Sequence, residues 1–135
     1  MFLEILNEKE KELFLSLAYD LSAADKDFSP EERELISGAC REMNIAFDMD
    51  KVELSVDKVI EQINSVCSLQ SKKVMIFEAM RLAASDEDYD DDERKIISDA
   101  LAKFGLGKEY HDKCEAIINE YAALQYKMQE LVVED

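Results

Sequence analysis

The chain contains no Trp, one Pro, three Gly and a single His among 135 residues. Turn formers this scarce, set against abundant Ala, Leu, Glu and Lys, mark an all-helical composition and leave little room for a strand-and-turn fold. The absence of Trp, with few other aromatics, leaves nothing to line a sugar or base cleft and argues against a hydrolase. Cys40, Cys67 and Cys114 are odd in number and lack CxxC spacing. They fit a reducing cytosol better than a disulfide framework, and the expected location is cytoplasmic. No apolar run approaches membrane-spanning length. The opening MFLEILNEKEKE has no basic n-region and meets acids at once, unlike a signal peptide.

Basic charge is also short. Lys and Arg number 16 against 32 Asp and Glu, a net charge of -16. Such a surface repels phosphate backbones and anionic headgroups and attracts cations or basic proteins, which excludes nucleic acid as a direct ligand and disfavours direct membrane insertion. The length suits one domain, residues 1–135, able to bury about two thirds of its unfolded surface.

The organising feature is an internal repeat. Shifted by 61 residues, LSAADKDFSPEERELISGACREMNI (residues 21–45) aligns with LAASDEDYDDDERKIISDALAKFGL (residues 82–106) at nine identities in 25 positions. Preserved pairs include Asp25/Asp86, Asp27/Asp88, Glu32/Glu93 and Arg33/Arg94. Behind each acidic turn the apolar spacing i, i+1, i+4, i+5, i+8 predicts one buried helix face: Leu35, Ile36, Ala39, Cys40 and Met43 recur as Ile96, Ile97, Ala100, Leu101 and Phe104. Ahead of it, Leu13, Phe14, Ala18 and Leu21 match Val74, Met75, Ala79 and Leu82. Each repeat therefore reads as helix, acidic turn, helix, over residues of about 8–45 and 69–106.

Capping chemistry sets the boundaries. Asn7 and Glu10 have capping-box spacing and start a helix near Glu8. Ser29, Pro30 and Glu32 supply an N-cap, a proline at the first helical position and Glu at the third, with Asp90 to Glu93 as the counterpart. Gly105 stands where a left-handed residue would close the second repeat. Val56, Val59, Ile60, Ile63, Val66 and Cys67 form a stripe on a middle helix over residues 55–67, capped by Ser55, with a short turn over residues 48–53 ahead of it. Tyr110, Cys114, Ile117, Ile118, Tyr121, Leu124, Met128 and Leu131 do the same on a C-terminal helix over residues 108–132, with residues 133–135 expected to fray. Stripes this broad predict core packing in place of a coiled-coil seam. The expected architecture is an all-α, pseudo-twofold bundle of about six helices.

Two readings of the acidic turns stand side by side. Acids in a first helical turn gain about 0.3–1 kcal/mol each from the macrodipole, which accounts for Glu31, Glu32, Asp92 and Glu93. It does not account for Asp25, Asp27, Asp86 and Asp88, which precede the caps. Like charges 4 Å apart repel by about 1 kcal/mol in bulk water and about 4 at an effective dielectric of 20, and a bound cation reverses that sign. All-oxygen ligands select a hard ion, Ca²⁺ first and Mg²⁺ next. The candidate metal residues are Asp25, Asp27, Glu32, Asp86, Asp88 and Glu93, with Arg33 and Arg94 as competing partners for the turn acids. An EF-hand loop fails, because its sixth position is Asp91 or Pro30 and its twelfth Ile97 or Ile36.

At ADKDFSPEE (residues 24–32) and SDEDYDDDE (residues 85–93) the sequence resembles the tellurite-resistance TerB-like family, whose helical domains repeat an Asp, hydrophobic, Glu pattern between two helices. The resemblance covers residues of about 10–106. It implies an all-α fold, cation chelation by Asp25 with Glu32 and Asp86 with Glu93, and a stress-response or membrane-linked role through protein partners. Related domains also accompany J-domain co-chaperones. The family often has Gly after the motif Asp, where Lys26 and Glu87 stand here.

The cysteines lie on apolar stripes and read as small core residues, as do Met75 and Met80. His111 and Cys114 share one helix, and such an isolated pair is rarely a metal site. No catalytic residue and no organic cofactor is expected. Two functions remain: a small cation-binding interaction module, and a metal-free acidic adaptor that docks a basic or helical partner.

Overall fold

A computed structural model of the chain describes residues 2–23, 30–47, 55–85 and 91–133. A 3-10 turn at Leu3–Ile5 precedes six α-helices, α1 (Glu8–Ser22), α2 (Pro30–Met43), α3 (Val56–Val66), α4 (Leu69–Ser85), α5 (Asp91–Phe104) and α6 (Lys108–Val132). Among the described residues there is no strand. The expectation of an all-α bundle holds. The expected turn over residues 48–53 lies outside the described residues, as do Ser29 and Asp90, the expected caps of α2 and α5.

The caps that are described follow the chemistry of their side chains. Asn7 Oδ1 accepts the Glu10 N–H at 2.9 Å while Glu10 Oε1 accepts the Asn7 N–H at 3.0 Å, a complete capping box. Ser55 Oγ accepts the Lys58 N–H at 3.4 Å to open α3. The ends of α2 and α5 match as well. Asn44 and Gly105, 61 residues apart, both take positive φ, 53° and 72°. Ile45 N–H then reaches the Cys40 carbonyl and Leu106 N–H the Leu101 carbonyl, so each helix closes in a Schellman turn. The bounds of α2 and α5 are offset by the same 61 residues, from 30 to 91 and from 43 to 104.

α1 lies at the centre, packed against α2, α3, α4 and α5, and buries Phe14, Leu15 and Leu17 completely. α3 packs on α1 and α5 through Val59, Ile60 and Ile63. The N-terminal 3-10 turn packs on α2 and α4, where Leu3 and Leu6 are buried. Met75 and Met80 of α4 are core residues.

α6 departs from expectation. Its first half packs on α4 and α5, burying Cys114 and Ile118, and Tyr110 Oη donates to the Lys73 carbonyl at 2.7 Å. From residue 119 onward every described position is exposed. The apolar stripe continues through Tyr121, Leu124, Met128 and Leu131, and these side chains meet solvent instead of core. Helical periodicity defines a face but not the surface that covers it, and here the helix runs past the end of the bundle.

Candidate functional site

Glu32 and Glu93 occupy the third positions of α2 and α5, where sequence and structure agree that each helix has just begun. Charged side chains at such positions normally stand in solvent, yet Glu32 is 6% and Glu93 5% exposed. Both line one small cavity together with Ala18, Leu21 and Ser22 of α1, Leu35 of α2, and Leu82 and Ala83 of α4. Leu21/Leu82, Ser22/Ala83 and Glu32/Glu93 are repeat counterparts, so the two halves of the duplication contribute matching residues to the same space. Its open volume, about 10 Å³, is close to what one water or one bare ion occupies. Small side chains at Ala18, Ser22 and Ala83 keep the helices near enough for carboxylates from two repeats to share a lining.

The donor set is all oxygen: two carboxylates and the Ser22 hydroxyl. That chemistry suits a hard divalent cation. Among the described residues no group of three or more His, Cys, Asp and Glu side chains gathers into a metal cage. Of the six candidate ligands the structure brings Glu32 and Glu93 to one cavity, while Asp25, Asp27, Asp86 and Asp88 lie outside the described residues. Arg94 also borders a second cleft, with Nη1 3.9 Å from Glu115 Oε2, and it and Arg33 have further partners.

That second cleft, about 410 Å³, opens between α5 and α6 and is bordered by Arg94, Lys108 and His111 around Leu101 and Ala102. Its polar groups already face acids, Lys108 Nζ at 4.0 Å from Asp112 and His111 Nδ1 at 3.2 Å from Asp112. His111 therefore faces acids, with Nε2 also 4.0 Å from Glu115 Oε2. Burial raises the Tyr110 hydroxyl and the Cys114 thiol above their ordinary values, which keeps both protonated. Cys67 is pushed up to about 11, first by burial and then by the charge and hydrogen bond of Glu10. Cys40 is half-buried against the core and also raised by burial. None of the three is poised as a nucleophile.

Two acids escaped the sequence reading. Glu78 is fully buried, its carboxylate accepting the Phe2 N–H at 3.1 Å and the Arg81 Nη2 at 2.8 Å. A signal existed: an acid amid Met75, Ile76, Ala79 and Met80, with Arg three residues later and Leu17 as its repeat counterpart. Asp20 has one buried carboxylate oxygen with no hydrogen-bond partner among the described residues, and burial raises its carboxyl to about 6. Among the described residues no helix is long and apolar enough to cross a membrane. Comparison with protein-family models, with curated proteins and with solved structures finds no match for this chain.

Proposed function

We propose that this chain is a non-catalytic helical module that binds a divalent cation, Ca²⁺ in preference to Mg²⁺, at its paired acidic turns and engages a protein partner. One observation carries the reading: carboxylates from the two repeats, Glu32 and Glu93, are withdrawn from solvent into the lining of a single cavity of ionic size. Burial of two acids opposes folding unless positive charge or hydrogen bonds offset it. Glu32 and Glu93 each have a partner within the protein, and a cation supplied with further oxygens from Asp25, Asp27, Asp86 and Asp88 would add to that compensation. The TerB-like resemblance of the two turns points the same way, toward a stress-response or membrane-associated assembly.

Calorimetric titration with CaCl₂ and MgCl₂ tests the reading on the intact chain, on Asp25→Asn/Asp86→Asn and on Glu32→Gln/Glu93→Gln. Saturable heat in the parent, lost in both variants, is expected. Ca²⁺ at a hundred times its Kd should raise folded stability by about 2.7 kcal/mol, and EDTA should return it. No heat and no thermal shift at millimolar Ca²⁺ or Mg²⁺ would leave the metal-free acidic adaptor, whose partner binding weakens with salt and with neutralised turn acids.

A further inference from the structure

The exposed end of α6 keeps a regular apolar period. Cys114, Ile117, Tyr121, Leu124, Met128 and Leu131 follow one another at spacings that alternate strictly between three and four, the seven-residue repeat of a two-stranded coiled coil. The first of these residues is buried in the bundle, Ile117 is already 56% exposed, and Leu131 is 77% exposed. Residues 119–132 extend about 21 Å. They contain neither Gly nor Pro, so nothing in the sequence folds this arm back.

Charge decides what covers it. Residues 117–133 carry Glu120, Lys127 and Glu130, a net of -1 out of the chain's -16. The arm is thus a part of this acidic molecule that can approach another copy without strong repulsion. We propose that α6 pairs antiparallel with α6 of a second copy of this chain through Ile117, Tyr121, Leu124 and Met128. Setting Tyr121 opposite Leu124 of the second copy places Met128 opposite Ile117 of the second copy. In the same register Glu120 and Lys127 flank the seam and face Lys127 and Glu120 of the second copy, so both flanking contacts join opposite charges. The ends of the two bundles, marked by Ile118 in each copy, then stand about 14 Å apart along the axis, and the last turn of each arm, beyond Met128, runs beside residues 113–116 of the second copy. A parallel pairing would bring the two acidic bundles side by side and leave Glu120 facing Gln125. This pairing is independent of the cation reading.

Sedimentation equilibrium of the full chain, from low micromolar to near-millimolar concentration, tests it without added metal. The mass-average should climb from 15.5 kDa toward twice that value. Leu124→Glu should hold it at the single-chain mass while melting like the parent at low concentration, since Leu124 touches no core. Lys127→Glu and Glu120→Lys should each weaken association by about tenfold, and the double reversal should restore it to within about threefold of the parent. A single-chain mass throughout, as expected if the arm serves a different protein, would overturn the proposal. So would dimers indifferent to Leu124→Glu, or a double reversal no stronger than either single change.

Discussion

α3 and the distal half of α6 carry the same stripe in different surroundings. Counted 61 residues apart, Val56, Ile60, Ile63 and Cys67 correspond to Ile117, Tyr121, Leu124 and Met128. On α3 and at its C-cap the last three of these are buried, whereas all four of their counterparts on α6 are exposed. The connections explain the difference. Residues 44–55 separate α2 from α3, long enough to swing the helix onto α1 and α5. Only Gly105, Leu106 and Gly107 separate α5 from α6, and residues 108–115, the counterparts of 47–54, form the first turns of α6 itself. The helix is thereby committed to α4 and α5 and carries its stripe beyond them. The surface between α2 and α4, which corresponds by number to the bed of α3, is occupied by Leu3 and Leu6. An amphipathic pattern states which face wants cover, and the length of the preceding connection decides whether the chain can provide it.

The strongest way to break this contrast is to release the segment that fills the α2/α4 surface. Glu78→Ala removes the acceptor of Phe2 N–H and strands Arg81, which is about one-third exposed, against an apolar helix face. Chemical denaturation should show a loss of about 3–5 kcal/mol. Truncating the matched stripe residues comes next. Ile63→Ala should cost about 2–5 kcal/mol because its side chain is fully buried. Leu124→Ala at the counterpart should change the stability of the dilute protein by no more than about 0.5 kcal/mol. Equal losses at the two positions would show that the arm is covered within one chain.

Asp20 sharpens the comparison between the repeats, since its counterpart is Arg81, which pairs with Glu78. Its folded carboxyl titrates near 6 against an ordinary value of 3.8, so the folded state holds the proton more tightly than the unfolded state. The contribution of Asp20 to stability then falls as pH rises from about 4 through 6 and stays lower above. Asp20→Asn should stabilise the protein by about 1 kcal/mol at pH 7, with the gain vanishing near pH 3.5, as read from thermal melts at both pH values. The remaining effects concern the helix starts. Ser55→Ala should cost about 0.5–1 kcal/mol by removing the cap of α3. Gly107→Ala, at φ 66°, should cost about 1 kcal/mol by straining the entry to α6.

Most of the fold was legible because its signals are local. Asn7 with Glu10, Ser55 and Gly105 act within four or five residues, and each sits where its chemistry placed it. The repeat supplied the pairing of Glu32 with Glu93, and their shared cavity adds burial, a property that no acidic run reveals by itself. The fate of residues 119–132 was not legible, since it depends on which surfaces the first three turns of α6 had already taken. Glu78 was hidden for a similar reason: its partner Phe2 is 76 residues away, brought close only by the packing of the 3-10 turn on α4.

That distant hydrogen bond has a dynamic corollary. A three-residue turn has almost no intrinsic persistence, yet detaching this one would expose Leu3 and Leu6 and leave a fully enclosed carboxylate short of a donor. Hydrogen–deuterium exchange at the amides of Ile5 and Leu6 should therefore keep pace with the slowest core amides, so that the first residues of the chain behave as a latch that opens only with the whole molecule.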